Sequence, residues 1–509
     1  MTPSSPLWLD AAVSEMPTTR RKPLPAWVEP ATLPSLTVQG HDLTPEEVQA
    51  CLLALRDSTL EKPVALVTQM REHCDARWRE PFALALFERW LENESPSPER
   101  WAFEVLAHWG GDLIVRRLVA CIRDWPSKRL HQRAMRALTF LPFIGTDAAL
   151  YELALLGRDR KLGRIAMTAL GLLHTAASDR GLSYDQLGDR LVPTFGLDGE
   201  RIFDFGPRQF HLALTQDLKA CVRDAAGKVR ADLPKPAASD DPTRAASALA
   251  EWKELKHLLR DVLRLEVERL QESLVDPRIW KVEAFLGDVV AHPLLRRLAS
   301  RLLWGGINRK KQLKLLFRLN EDGQPVDGEG NPATLDDLEG VRLVHPILLT
   351  PEQRTHWTDL FADHEIVPPF PQLTRPVRTL DEEDQEESVL VAQEEIHVRP
   401  ITLLGLCERM GWERGLEEGA LEMGKYGGCN RHVRTFARAR LIAVLTYDPG
   451  ISAYGYHMDD DPQEVQTLHF VRAGKHLDDD RALPLAKIDP VILSEVLDFF
   501  AILASKHIG

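Results

Sequence analysis

The side chains of this chain best placed to do chemistry are cationic ones, gathered in two stretches that contain no carboxylate. Residues 296–318 carry Arg296, Arg297, Arg301, Arg309, Lys310, Lys311, Lys314 and Arg318, and residues 424–447 carry Lys425, Arg431, Arg434, Arg438 and Arg440. Guanidinium and ammonium groups hold phosphate or carboxylate through charge-assisted hydrogen bonds. The anion-binding candidates are therefore Arg309, Lys310 and Lys311 in the first stretch, and Lys425, Arg431, Arg434 and Arg438 in the second. Read as a short helix capped by Asn430, residues 430–440 would set Arg431, Arg434 and Arg438 on one face and Val433, Phe436 and Ala437 on the other. The competing reading pairs both stretches with the acidic run Asp381 to Glu387 inside the same protein. Cys429 follows Gly427-Gly428 and precedes Arg431 and His432, a setting that predicts an accessible thiol whose thiolate is stabilised by neighbouring positive charge.

Several familiar patterns are coincidental. Residues 419–425 have the spacing of a phosphate loop. Tyr426 then stands where a magnesium-binding Ser or Thr is needed, and Glu417-Glu418 replace the preceding apolar strand. Asp204-Phe205-Gly206 copies the kinase magnesium triplet without a glycine-rich loop or a His-Arg-Asp loop before it, so it reads as a turn. His457 with Asp459, Asp460 and Asp461, and separately Asp478 to Asp480, lack the spacing of a calcium loop and read as solvated turns. No metal site is expected, and the residues name no cofactor.

These groups need elements to position them. With 509 residues, more than one domain is expected. From 81 to 174 apolar residues recur at helical spacing, as Trp101, Val105 and Trp109, then Ile114, Leu118 and Ile122, then Leu130, Ala134 and Leu138. Breakers at Pro96, Pro98, Gly110-Gly111, Pro126, Gly145 and Gly157 predict short helices in antiparallel pairs, a HEAT-like array. After Ser183 short strands are predicted over 201–205 and 209–214, followed by a linker over 233–242 and one long amphipathic helix over 243–274. Strands are predicted over 313–319 and 340–349, a helix from Pro351, and a last helix near Pro490. The expected division is a loose tail over 1–36, an all-α array over 37–180, a β-hairpin unit with long helices over 181–305, and an α+β part over 306–509.

The 63 basic and 76 acidic residues give 63 − 76 = −13, which argues against a protein coating nucleic acid or anionic membrane over its whole surface. No apolar run approaches the roughly 20 residues that span a bilayer, and the N-terminus has the wrong order of charge for a secretory signal. Six cysteines without close pairs predict reduced thiols. A cytoplasmic location without membrane attachment is expected.

Distributed stretches resemble the MolR-like family, a bacterial domain of unknown function numbered 4132 that often accompanies a WGR domain. They include Phe203 to Phe210, Leu233-Pro234-Lys235-Pro236 before Asp240-Asp241, Arg278-Ile279-Trp280, His292-Pro293, Leu302 to Gly305, Val344-His345-Pro346, Pro369 to Arg375, Gly411 to Gly415, and Ile488-Asp489-Pro490 with Ser494-Glu495-Val496. The likeness covers roughly 182–501. Pro368 departs from the family's usual Gln, and no WGR-type segment is present. The resemblance adds His345, Gln372 and Arg375 as polar candidates from its motifs. His345 sits before a proline beside apolar residues, as structural histidines do, and the proline-stiffened segment would hold Gln372 and Arg375 at a surface or use Arg375 to anchor the loop. The leading functional reading is a binding or regulatory protein. Its helical array would meet a protein partner and its MolR-like region would recognise a nucleic acid or nucleotide. The rivals are an enzyme acting on a phosphorylated or nucleotide substrate, with arginines as clamps and one His or Glu as base, and a non-catalytic scaffold. A pocket lined by titratable groups would favour the enzyme, and basic groups on an open face would favour binding.

Overall fold

A computed structural model describes residues 5–14, 23–198, 201–415, 428–452 and 461–508. The chain divides into two compact units, Met1–Pro193 and Thr194–Gly509. Together they make an α+β multi-domain protein with a helical N-terminal part.

The first unit is a succession of helices: α1 (Leu7–Ser14), α2 (Pro45–Asp57), α3 (Ala65–His73), α4 (Ala76–Glu92), α5 (Trp101–Trp109), α6 (Asp112–Asp124), α7 (His131–Ile144), α8 (Asp147–Arg158), α9 (Arg164–Asp179) and α10 (Tyr184–Arg190). One two-residue ladder, β1 (Thr37–Val38) with β2 (His41–Asp42), precedes α2. Local chemistry sets the starts. Thr44 and Glu47 form a capping box on α2, Ser183 and Gln186 form another on α10, and Thr146 caps α8. Helix α4 packs on α5, α6 on α7 and α8 on α9. All nine residues of α5 are buried; its Phe103 stacks on Phe87 and Trp90 and meets Trp125 and Phe140 edge-on.

No strand occurs in the described part of 81–174, in agreement with the apolar spacing. Two expectations are corrected. Gly157 does not separate helices: it lies inside α8, where an added Cβ would meet the Leu170 side chain of α9 at 2.6 Å, so it permits close helix packing. The stretch expected as a loose tail contains α1, whose Leu9 is fully buried, and Val28, Leu33 and Leu36 are buried behind it.

The second unit begins with an antiparallel sheet of β3 (Ile202–Asp204), β4 (Gln209–Leu214), β5 (Ala220–Asp224) and β6 (Val229–Arg230), two strands more than the expected hairpin. It packs Phe203, Phe205, Phe210 and Val222 on Ala245, Ala248 and Trp252 of α11 (Pro242–Val275). The triplet at Asp204 is a turn, in which its carboxylate accepts the Gly206 N–H. Next come α12 (Val282–Ala284), running into a π-turn over Phe285–Val290, and α13 (Leu295–Ala299). A second sheet has the order β10-β7-β8-β9, from β7 (Trp304–Ile307), β8 (Leu313–Leu319), β9 (Pro325–Val326) and β10 (Gly340–Leu343), and α14 (Pro351–Asp363) follows it.

The C-terminal sheet is the main feature that the spacing of residues did not announce. It comprises β11 (Val389–Val398), β12 (Glu413–Arg414), β13 (Gly428–Phe436), β14 (Leu441–Ser452) and β15 (Gln463–Arg472), with α15 (Pro400–Arg409) between the first two, in the order β11-β15-β14-β13-β12. Leu403 and Cys407 of α15 and Ile492, Val496 and Phe499 of α16 (Pro490–Ala504) cover it, packing on Val398, Phe436, Ala443, Leu445 and Val465. The helix expected over 430–440 is therefore largely a strand. Phe436 pairs with Leu441, Arg434 with Ala443 and Arg431 with Thr446, and a ladder to a distant strand outweighs a weak local helical pattern.

Candidate functional site

Strand and turn geometry in the second unit opens one cleft of about 660 Å³, within the size range of small-molecule sites. Four chain segments bound it. The β4–β5 turn brings Gln216 and Asp217; its Leu218 adopts φ +60° with its side chain buried, which turns the two polar residues outward. The exit of α13 brings Ser300 and Arg301, and the end of β8 brings Arg318, Leu319, Asn320 and Glu321. The Asn320 side-chain carbonyl accepts the N–H groups of Asp322 (3.0 Å) and Gln324 (2.8 Å), which fixes that turn and turns its amide nitrogen away from it. The end of α14 brings His364, Glu365, Ile366 and Val367.

Arg301 and Arg318 are half-buried, and among the described residues neither has an ion pair. The Arg318 Nε is buried with no hydrogen-bond partner. Burial lowers the Arg301 guanidinium below its ordinary value, against the opposing pull of Asp217 and with a further push from Arg297. Two desolvated guanidinium groups in one cleft suit a carboxylate or phosphate.

The sequence-expected anion residues end up apart. Arg309, Lys310 and Lys311 form the exposed tip between β7 and β8, with the Arg309 Nε 3.9 Å from Glu339. Lys425 lies outside the described residues, as do His457, Asp459 and Asp460. Arg431, Arg434 and Arg438 do not share a face. Arg431 reaches Asp478 at 3.5 Å, the Arg434 guanidinium lies 5.2 Å from the centre of the Phe436 ring, and the Arg438 N–H donates to Asp276 at 2.8 Å. Asp478 and Asp276, the carboxylates seen at Arg431 and Arg438, lie outside the run 381–387.

The three family-motif residues do come together, around a fourth. His345 is fully buried; its Nδ1 accepts the Ile347 N–H (3.2 Å), which leaves the proton on Nε2 to donate to Glu495 (3.2 Å). Arg375 pairs with the same carboxylate, and its Nε donates to the Pro371 carbonyl at 3.1 Å. Burial alone would raise the Glu495 carboxyl. The His345 hydrogen bond and the charges of Arg375 and Arg434 outweigh it and hold the group below the usual carboxylate range. Gln372, expected at a surface, is fully buried: it accepts the Leu303 N–H (2.8 Å) and donates to the carbonyls of Leu303 (2.8 Å) and Val344 (3.0 Å). With Ser494 accepting the Arg378 N–H, these contacts fasten segment 369–378 to β7, β10 and α16.

Cys429 is buried, not accessible, and its thiol donates to the Arg431 carbonyl at 2.9 Å. His432 beside it is pushed down to about 4, by burial first and Arg414 second, so it supplies no positive charge at neutral pH. Burial likewise pushes the Cys407 thiol up to about 12 and the Cys74 and Cys121 thiols to about 11.

Sequence reasoning placed Arg301 and Arg318 in a carboxylate-free stretch but favoured the lysine-rich tip between them. Asp217, Asn320, His364 and Glu365 carried no motif and became neighbours only through folding.

Residues 227–412 match the family profile of a domain of unknown function, DUF4132. That match takes in every residue lining the cleft except Gln216 and Asp217. The chain is also similar to the "Uncharacterized protein YehI" of Escherichia coli (strain K12), at 30% identity over 434 residues. The aligned region is 84% of this chain and 34% of that protein, so the chain spans about a third of the length of this relative. No solved structure matches. Among the described residues no helix is long and apolar enough to cross a membrane.

Proposed function

We propose that the chain is a cytoplasmic binding or regulatory protein whose second unit holds a small carboxylate- or phosphate-bearing molecule in the cleft at Arg301 and Arg318. One observation carries this reading: two half-buried guanidinium groups line a cleft of ligand size with no carboxylate at ion-pair distance among the described residues, Asp217 acting on Arg301 only from farther off. Elsewhere in the second unit Arg269 pairs with Glu266 and Arg375 with Glu495. Unpaired cations in a cleft are stabilised when an anion arrives. Six free cysteines support the cytoplasmic location, and the motif stretches support a MolR-like kinship.

The first unit serves, in this reading, as a HEAT-like array for a protein partner, which the exposed Leu113, Phe143 and Met167 support. The exposed tip at Arg309, Lys310 and Lys311 favours a second reading, contact with a nucleic acid backbone, which would weaken steeply with added salt.

Mass spectrometry of small molecules released from the purified protein tests the main reading. An anionic compound is expected from the wild type and not from an Arg301→Ala, Arg318→Ala double variant. Equal recovery from both proteins, or recovery of nucleic acid alone, would sink it.

A further inference from the structure

We infer that the ligand of the cleft is a small zwitterion of the amino-acid or short-peptide kind, its carboxylate held by Arg301 and Arg318 and its ammonium by Glu321 and Glu365. This rests on the proposal above that the cleft binds a small acid, and it narrows the class.

Opposite charges share this cavity without forming an ion pair. Arg301 and Arg318 line it, and so do Glu321 and Glu365. Among the described residues none of the four has an ion pair, although opposite charges on long side chains in one cleft would ordinarily close on each other. Arg301 and Glu365 come from the ends of α13 and α14, and Arg318 and Glu321 share the end of β8. Glu321 and Glu365 are exposed, whereas Arg301 and Arg318 are half-buried. Asp217 adds a third carboxylate, already engaged by Lys219 at 3.6 Å.

A nucleotide or other polyanion would find three carboxylates beside the two cations, so its extra charge would be repelled. A simple cation would meet the arginines. A molecule bearing one group of each sign, a few ångströms apart, satisfies both ends. Leu319, Ile366 and Val367 supply apolar surface for a side chain.

The position of Glu365 is fixed by a helix stop. It lies just past the end of α14 with φ +53°, the left-handed position where glycine is the default residue. That conformation closes the helix, with the Ile366 N–H donating to the Phe361 carbonyl at 2.8 Å. The glutamate side chain lines the cleft.

The test uses the full chain, with thermal shift and titration calorimetry. The probes are a pool of the free α-amino acids, a pool of dipeptides, the N-acetylated form of each pool, inorganic phosphate and ADP. A free pool is expected to bind, and the pool that does so tells amino acid from peptide. N-acetylation, which removes the ammonium, should weaken binding about fivefold or more, the scale of losing one ion pair. Glu365→Gln and Glu321→Gln, both at exposed positions, should weaken binding of the free pool and leave any residual binding of the acetylated pool unchanged. Arg318→Gln should weaken both. Acetylated and free pools binding alike, or phosphate or ADP binding more tightly than either free pool, would overturn the zwitterion while leaving an anion site standing. If no probe binds in a way that the Arg301→Ala, Arg318→Ala double variant abolishes, the cleft reading itself falls with it.

Discussion

Glu495 joins three basic side chains in the interior of the second unit. It takes a hydrogen bond from His345 and a charge partner from Arg375, and Arg434 faces it. Removing the carboxylate charge would leave two guanidinium groups short of a partner in a dry site, a change that typically costs about 3–5 kcal/mol. Glu495→Gln is therefore expected to lower the melting temperature sharply at neutral pH. The carboxyl is held below its usual value of 4.5 in the folded chain. Its stabilisation is thus fully present above that pH and drains away as pH falls through the lowered value. Melting curves of wild type and Glu495→Gln from pH 7 to pH 3 should converge on acidification. A gap that stays constant to pH 3 would show that Glu495 is not the group titrating. The residues legible as motifs, His345, Gln372 and Arg375, thus act on the fold's own joints, whereas the cleft residues bear no motif at all.

At the scale of elements, the helical first unit depends on close approaches that only small residues allow. Gly110 lies between α5 and α6, and a Cβ there would overlap the Leu106 carbonyl oxygen and come within 2.9 Å of the Ile144 side chain of α7. One of those neighbours is backbone and cannot swing away. Gly110→Ala is expected to destabilise the protein by about 1–3 kcal/mol, the usual penalty of overpacking, read as a lowered urea midpoint. An unchanged midpoint would mean that α5 and α6 shift at no cost. Strand β13 shows the opposite limit of local reasoning. Its sequence Cys-Asn-Arg-His-Val-Arg-Thr-Phe fits a helical face and an alternating strand about equally, and the β14 ladder decides between them. The turn from β13 to β14 has Arg440 at φ +53°, and it folds the second basic stretch back on itself. Arg431, Arg434 and Arg438 are dispersed by that geometry to three separate settings.

For the whole molecule, Met1–Pro193 and Thr194–Gly509 each contain their own core. The first, with its stacked aromatic residues, is expected to fold by itself. A fragment ending at Pro193 should show a helical circular dichroism spectrum and one cooperative melt. A disordered spectrum would show that the array needs the rest of the chain.

The sequence by itself determined the helical character of residues 81–174, because short helices write their burial into apolar spacing and caps such as Thr146. It also determined the long helix now seen as Pro242–Val275, the strand Leu313–Leu319 and the turn at Asp204, all governed by neighbours within a few residues. Tertiary structure decided the rest. The C-terminal sheet joins segments as far apart as Val389 and His469, and no local pattern specifies such pairing. The burial of Gln372 and Cys429 depends on partners that residue type does not name. The cleft is a property of four turns separated by up to about 150 positions, so which arginines stay unpaired is fixed by distances that exist only once the chain has folded.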